Sequence, residues 1–119
     1  MILFISLHFL QIAEGIEDAI LSGAFEEESQ IPSITEFSVN YKINPATALK
    51  GINILVDYGI VYKKRGLGMF VSTGARSKLQ QKRREQFFDN YIVGLVAEAK
   101  RLHLSETEIK SMIERRFET

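Results

Sequence analysis

The stretch that decides the fold runs from Ser33 to Val71: SITEFSVNYKINPATALKGINILVDYGIVYKKRGLGMFV. It opens with a capping box, in which the Ser33 hydroxyl and the Glu36 carboxylate can each bind a backbone N–H left unpaired at a helix start. Further on, Asn44 is a favoured N-cap and Pro45 a favoured first helical residue. The stretch therefore predicts two short helices joined by a tight turn.

Apolar spacing assigns a buried face to each of these helices. In the first, the inward positions are Ile34, Phe37 and Tyr41. The second is predicted to run to about Tyr58, where Gly59 ends it. Its buried stripe comprises Leu49, Ile52, Leu55 and Val56, and its more polar side comprises Ala46, Thr47, Lys50 and Asn53.

A β-hairpin is predicted directly after these helices. Ile60–Lys64 and Met69–Ser72 are short runs of β-prone residues, and the segment 65–68 between them contains glycine, a pattern typical of a hairpin. Before the quoted stretch, apolar residues at helical spacing over Phe9–Ser22, followed by Gly23, predict a first helix. Three helices and a hairpin in this order are typical of a winged helix-turn-helix domain.

Two further helices are expected after the hairpin. A long helical pattern starts at Ala75, and a second capping box over Ser105–Glu108 opens a last helix. We expect a mainly α-helical fold with a small β-hairpin, in which residues 1–73 form a winged helix-turn-helix DNA-binding domain and residues 74–119 form a helical dimerisation segment. The apolar run Met1 to Leu7 is interpreted as a strand or arm, the alternative being an extension foreign to the natural protein.

Charge is distributed unevenly along a chain whose net charge is zero. Residues 1–41 hold seven acids and no lysine or arginine, whereas residues 42–84 hold ten basic residues against the single acid Asp57. Residues 85–119 hold five bases and seven acids. A basic segment in an otherwise acidic chain is typical of a surface that binds phosphate groups. An ordinary solvated basic face is the alternative that this pattern leaves open.

Composition limits the classes of function. The chain has no cysteine, which excludes disulfides and thiolate metal sites and favours a reducing compartment, the cytoplasm. His8 and His103 lie far apart without ligand spacing, so we expect neither a metal nor a cofactor. The sequence contains no set of nucleophile, base and orienting residue that suggests catalysis, and the acidic run 26–28 is interpreted as solvated loop. We therefore do not expect the protein to be an enzyme. No stretch is long and apolar enough to span a membrane.

Six short segments within residues 9–72 together form a pattern found in a known family. They are Leu10-Gln11-Ile12-Ala13-Glu14, Ile20-Leu21-Ser22-Gly23, Ile31-Pro32-Ser33, Asn44-Pro45-Ala46-Thr47, Tyr58-Gly59-Ile60-Val61 and Gly66-Leu67-Gly68-Met69-Phe70-Val71. In this order and spacing they resemble the DNA-binding domain of GntR-type bacterial transcription regulators. The Asn44–Thr47 start of the third helix, followed by so short a C-terminal part, is similar to the YtrA-like branch.

The resemblance implies a sequence-specific regulator of transcription. Members of the YtrA-like branch resemble dimers joined by two C-terminal helices and commonly repress operons for transport systems, which implies a repressor that binds a pseudo-palindromic operator on double-stranded DNA as a homodimer. The chain departs from the family pattern at Thr35, where an arginine is usual, at Met69, where a threonine is usual, and at Ile31, where a leucine is usual. The missing arginine removes a strong contact to phosphate or base.

The residues expected to contact DNA lie at the start of the second helix, on the third helix and at the hairpin tip. They are Ser33, Thr35, Asn44, Ala46, Thr47, Lys50, Lys63, Lys64, Arg65 and Gly66. Lysine and arginine supply long donors for guanine edges and phosphate, and glycine permits close backbone approach. Capping alone would also explain Ser33 and Asn44, and ordinary exposure would explain Lys50.

An apolar stripe in the C-terminal helices is expected to form the dimer interface. It consists of Phe88, Tyr91, Ile92, Leu95, Ile109, Met112 and Ile113. Two helices that follow a complete winged domain need a surface to cover this stripe, and a symmetric copy provides one. A winged-helix module that binds another protein, with little or no DNA binding, is the alternative. The sequence leaves open whether a small-molecule effector is bound.

Overall fold

A computed structural model of the chain describes residues 8–119, so the arm predicted for residues 1–7 lies outside the described residues. The elements in chain order are α1 (Phe9–Ser22), α2 (Ile34–Tyr41), α3 (Pro45–Asp57), β1 (Val61–Lys64), β2 (Gly68–Val71), α4 (Ala75–Phe87), a π-helical turn (Phe88–Ile92), α5 (Val93–Arg101) and α6 (Glu106–Phe117). β1 and β2 pair as an antiparallel hairpin. This order confirms the predicted winged helix-turn-helix fold.

Local capping chemistry sets most of the helix boundaries. Both predicted capping boxes form, with Ser33 and Glu36 at α2 and with Ser105 and Glu108 at α6. α1 ends at Gly23, whose φ of 88° lies in the left-handed region that glycine adopts without strain. These boundaries depend on residues close in sequence, and this is why the sequence alone predicts them.

The hydrophobic core joins the first three helices to the hairpin and to the start of α4. Its buried residues are Ile12, Ala13, Ile16, Ile20, Ile31, Phe37, Ala48, Ile52, Leu55, Ile60, Val61, Val71, Ala75 and Leu79. α3 packs against α1, α2 and β1, so it is the central element of the domain. Its position in the core fixes which of its sides remains exposed.

Two predicted core positions are exposed. Leu49 is 43% exposed and Tyr41 is 58% exposed, whereas Ala48 and Gly51 are buried in α3. Ile52 and Leu55 are buried as predicted, and the buried stripe of α3 extends to Ala48 and Gly51 on the side away from Leu49. The close approach of α1 to α3 selects small residues for this side of α3, and the larger leucine faces solvent.

The chain divides into two compact units between Gln81 and Lys82. The first unit includes the start of α4, which the sequence analysis assigned to the C-terminal segment, because Ala75 and Leu79 are buried in its core. In the second unit, the buried residue is Ala99 in α5. Within residues 8–119, no helix is both long and apolar enough to cross a membrane.

Candidate nucleic-acid interface

The helix-turn-helix places two of the candidate residues at helix caps. Ser33 Oγ accepts the Glu36 N–H at 3.0 Å, and Glu36 Oε1 accepts the Ser33 N–H at 2.9 Å. At the start of α3, Asn44 Oδ1 accepts the Ala46 N–H at 2.7 Å. Both side chains therefore stabilise a helix start. Their contact with DNA stays a prediction.

α3 lies close to α1 because residue 51 is glycine. A Cβ at Gly51 would come within 2.7 Å of the Phe9 carbonyl oxygen and 3.0 Å of Ile12 Cβ. Both distances are too short for an unstrained side chain, so this crossing depends on a residue without one. The crossing turns Ala48, Gly51 and the rest of the inner stripe into the core, and it turns the opposite side of α3 to solvent.

The solvent side of α3 forms a shallow concave surface, called here the α3 surface. It is lined by Ala46, Leu49, Lys50, Asn53, Ile54 and Asp57. The N-terminal end of a helix carries partial positive charge, whereas Asp57 adds negative charge at the other end. An anionic partner is therefore attracted most strongly near Ala46, at the end where the candidate residues were placed.

Lys50 is exposed, as expected, but its ammonium group is not isolated. Lys50 Nζ lies 4.2 Å from the centre of the Phe9 ring in α1. A cation–π contact at an exposed site contributes only about 0.5–1 kcal/mol. A phosphate or a guanine edge can therefore compete for this ammonium group, although the free protein holds it toward α1.

The wing tip presents basic groups on a tight turn. Lys63 and Arg65 are exposed and Lys64 is half-buried, with Lys64 Nζ 4.4 Å from the centre of the Phe70 ring on the opposite strand. Gly66 has a φ of 79°, a conformation that favours glycine at the tip. The hairpin therefore holds one cation against an aromatic ring and leaves two others open to a partner.

The loop before α2 braces the wing. Gln30 Nε2 donates to the Leu67 carbonyl oxygen at 2.6 Å, and the Ile31 N–H donates to the Met69 carbonyl oxygen at 2.9 Å. A Cβ at Gly68 would lie 2.6 Å from Gln30 Nε2, so the close approach of the amide needs glycine at this position. The wing is thus held by contacts along its second strand.

Glu28, expected to lie in a solvated loop, is bonded to the wing and to the segment that follows it. The Tyr62 hydroxyl donates to Glu28 Oε1, and the Thr73 hydroxyl donates to Glu28 Oε2 at 2.6 Å. The bonds from Thr73 and Tyr62 lower the pKa of the Glu28 carboxyl below its ordinary value, and the bond to Glu28 raises the pKa of Tyr62. Glu28 is therefore an ionised acceptor and Tyr62 a neutral donor at neutral pH.

Glu27 performs a related role at the start of α4. Its Oε1 accepts the Gly74 N–H at 2.9 Å, and its Oε2 accepts the Arg76 N–H at 3.2 Å. A carboxylate at a helix N-terminus satisfies unpaired N–H groups and interacts favourably with the helix dipole. Residues 26–28 lie in an exposed loop, as predicted, and Glu27 and Glu28 in addition hold structure formed by residues much later in the chain.

All ten candidate DNA-contact residues lie in the first compact unit and are exposed or half-buried. α3 packs against α2 and β1, so the elements that carry them adjoin one another. Sequence reasoning missed Leu49 and did not count Asn53 among the contacts, although both line the α3 surface. The helical spacing of Leu49 and Asn53 from Ala46 could have indicated that all three lie on the same side of α3.

No metal centre is found in the part of the chain that the structure describes. Among residues 8–119, no cluster of three or more histidine, cysteine or acidic residues is arranged to hold an ion. His8 instead caps α1, where its Nδ1 accepts the Leu10 N–H at 3.2 Å.

The predicted dimer stripe lies on the second compact unit and is open in a single protomer. Phe88 is 63% exposed, Tyr91 59% and Leu95 37%. On α6, Met112 is 39% exposed and Ile113 41%. The remaining two stripe residues, Ile92 and Ile109, are half-buried. Large apolar side chains on the π-helical turn, α5 and α6 are thus uncovered in a segment that buries little of its own.

Comparison with known protein families and curated proteins gives consistent results. The family described as bacterial regulatory proteins, gntR family, matches residues 9–71. The uncharacterized HTH-type transcriptional regulator YhcF of Bacillus subtilis (strain 168) is 25% identical over 101 residues, which cover 85% of this chain and 82% of YhcF. The HTH-type transcriptional repressor NagR of the same organism is 29% identical over 73 residues, which cover 61% of this chain and 29% of NagR.

Solved structures extend this similarity to the fold. A crystal structure described as a transcriptional regulator of the GntR family from Bacteroides thetaiotaomicron is 34% identical, has a TM-score of 0.70, and is matched over 92% of this chain and 96% of its own. The DNA-binding domain of AraR, in complex with operator ORR3, is 29% identical with a TM-score of 0.54, over 58% of this chain and 83% of that one.

Proposed function

Because the chain belongs to the gntR family of bacterial regulatory proteins and is a transcriptional regulator with a DNA-binding domain, we propose that it is a repressor that binds a pseudo-palindromic operator as a homodimer. In this proposal α3 enters the major groove and the wing lies against the adjoining backbone or minor groove. The contacts come from Ser33, Thr35, Asn44, Ala46, Thr47, Lys50, Lys63, Lys64, Arg65 and Gly66.

The observation that carries the proposal is the pairing of the α3 surface with a basic wing on one small domain. α3 is packed on three other elements, so its open side is presented rigidly, as a helix that enters a groove requires. Lys63 and Arg65 at the wing tip are exposed and suit phosphate or a narrow minor groove. The similarity to an operator-bound domain and to a repressor supports the same role.

The homodimer is supported by the second compact unit. Its apolar stripe is uncovered in one protomer, and exposed apolar groups of this size in a small segment mark an interface. A twofold copy pairs the stripe with itself and carries two recognition helices to two half-sites about one helical turn apart. We therefore also propose that the protein acts in the cytoplasm, where its DNA would be found.

The test is selection of bound duplexes from a random pool with the full chain. We expect one enriched sequence with two inverted half-sites, and affinity that falls steeply with salt because bound phosphates release counterions. Arg65→Gln should reduce the slope of log affinity against log salt by about one, whereas Lys100→Gln, an exposed lysine of the second unit, should not. No enrichment and no salt dependence would contradict the proposal and favour the alternative, a module that binds another protein.

A further inference from the structure

Leu49 is a large apolar side chain on the α3 surface, which holds Ala46 and Ile54 as well as polar residues. It is 43% exposed, and the surface continues to Ala46 on one side and to Asn53 on the other. Isolated exposed leucines are common on proteins. Leu49, however, lies one helical turn from the N-terminal end of α3, the helix proposed to enter the major groove. At that position its apolar side chain would face the edges of the bases.

The major groove offers one apolar group, the C5-methyl of thymine, and otherwise presents hydrogen-bond donors and acceptors. Leu49 can neither donate nor accept a hydrogen bond, so facing a guanine or cytosine edge leaves polar groups of the base desolvated and unpaired. Ala46, on the same surface, has the same limitation. A thymine methyl group is the complementary partner for both side chains.

The neighbouring cation, Lys50, is directed away from Leu49 in the free protein. Lys50 Nζ is held 4.2 Å from the centre of the Phe9 ring, toward α1. The α3 surface around Leu49 is therefore apolar at its centre and polar at Asn53, where an amide can pair with adenine. Both features favour the same kind of base pair.

We propose that Leu49 contacts the C5-methyl group of a thymine in each operator half-site, with Ala46 beside it, and thereby selects an A·T pair at that position. The inference rests on the proposed function, since it requires α3 to lie in the major groove. It makes Leu49 a determinant of sequence specificity that is additional to the polar and basic contacts.

The test compares selected operators in which each thymine is replaced in turn by deoxyuridine, which lacks only the methyl group. For the unaltered protein we expect one position in each half-site at which this replacement weakens binding about fourfold, the equivalent of ~0.8 kcal/mol for one buried methyl at 1.4 kcal/mol per tenfold. In Leu49→Ala the loss at that position should become clearly smaller, with Ala46 providing what remains of the contact. Leu49→Met, which keeps an apolar side chain, should retain it.

Leu10→Ala is the matched control, because Leu10 is a leucine of similar exposure, 49%, on α1. It should keep the deoxyuridine loss of the unaltered protein, and circular dichroism should show all three variants folded. If no duplex is selected at all, the proposed function fails. If duplexes are bound but deoxyuridine weakens the unaltered protein and Leu49→Ala equally, or if the half-site has no thymine whose methyl affects binding, the role of Leu49 is overturned while DNA binding stands.

Discussion

The Thr73 hydroxyl donates a 2.6 Å hydrogen bond to Oε2 of Glu28. Glu28 also accepts the hydroxyl of Tyr62 in β1, and the adjacent Glu27 accepts the N–H groups of Gly74 and Arg76. Two consecutive carboxylates therefore hold the base of the wing and the start of α4 to one loop. The position of the wing depends on charge as well as on the apolar core.

The Glu28 contacts should make the stability of the first unit depend on pH. Folding lowers the pKa of the Glu28 carboxyl from 4.5. The contribution of this carboxylate to the stability of the folded state is therefore present in full above pH 4.5, and it is lost as the pH falls through the lowered pKa. At alkaline pH, the stabilisation contributed by the neutral Tyr62 hydroxyl is lost as the pH rises through the raised pKa of Tyr62. Glu28→Gln should lower Tm at pH 7, and the difference from the unaltered protein should shrink in acid.

The control for this measurement is Glu26→Gln, an exposed acid of the same loop. It should leave the pH dependence of Tm almost unchanged. A constant Tm difference between Glu28→Gln and the unaltered protein from acid to neutral pH would contradict the ionised state assigned to Glu28.

A pair of glycine substitutions tests the crossing of α1 and α3. Gly51→Ala places a Cβ 2.7 Å from the Phe9 carbonyl oxygen, and overpacking of a well-packed contact costs about 1–3 kcal/mol. Gly15→Ala, in the exposed part of α1, meets nothing within 4 Å and should stabilise the helix by up to about 1 kcal/mol. Urea unfolding of both variants measures the two changes. Equal effects of the same sign would show that the helices do not approach as closely as described.

The same crossing explains what the sequence predicted and what it did not. The caps at Ser33 and Asn44 depend on neighbours within three residues, so the starts of α2 and α3 follow from local chemistry. Local chemistry does not determine which side of α3 is buried. Stripes containing Leu49 or Ala48 both have helical spacing, and the choice between them is made by a distant carbonyl oxygen at Phe9.

The residues of the candidate interface also fall into those that the sequence predicts and those that it does not. The outer positions of α3 and the basic tip of the wing follow from spacing and charge, because exposed residues need no partner to be placed. The roles of Glu27 and Glu28 depend on Gly74 and Thr73, which are remote in sequence. A run of three acids carries no sign of such partners, so the sequence predicted the exposed loop but not its hydrogen bonds.

Lys50 is expected to contribute to DNA binding despite its contact with Phe9. Lys50→Ala should weaken operator binding by about 1–3 kcal/mol if the ammonium binds a guanine edge, with less loss on unrelated DNA. If it binds only phosphate, the loss should be nearly the same on every sequence. Titration of operator and random duplexes at two salt concentrations separates these cases, with Lys100→Ala as the control. Unchanged affinity in a folded variant would remove Lys50 from the interface.

The final prediction concerns the apolar stripe of the second unit. Leu95 is 37% exposed in a single protomer, so a charge there is tolerated by the isolated chain but not by a dimer that buries the stripe. Leu95→Asp should cost several kcal/mol of association because it places a carboxylate in an apolar interface. Sedimentation of the purified variant should show a monomer. Operator affinity should fall by about 10²–10⁴, because two half-sites are no longer bound by one linked species.

Lys100→Asp is the matched control for Leu95→Asp, since it adds the same carboxylate to the same helix at an exposed position outside the stripe. It should leave the dimer intact. Circular dichroism separates loss of association from loss of folding, because the core of the first unit does not contain Leu95. A Leu95→Asp variant that remains a dimer with full operator affinity would place the interface on another surface, and the apolar stripe of the second unit would then require a different partner.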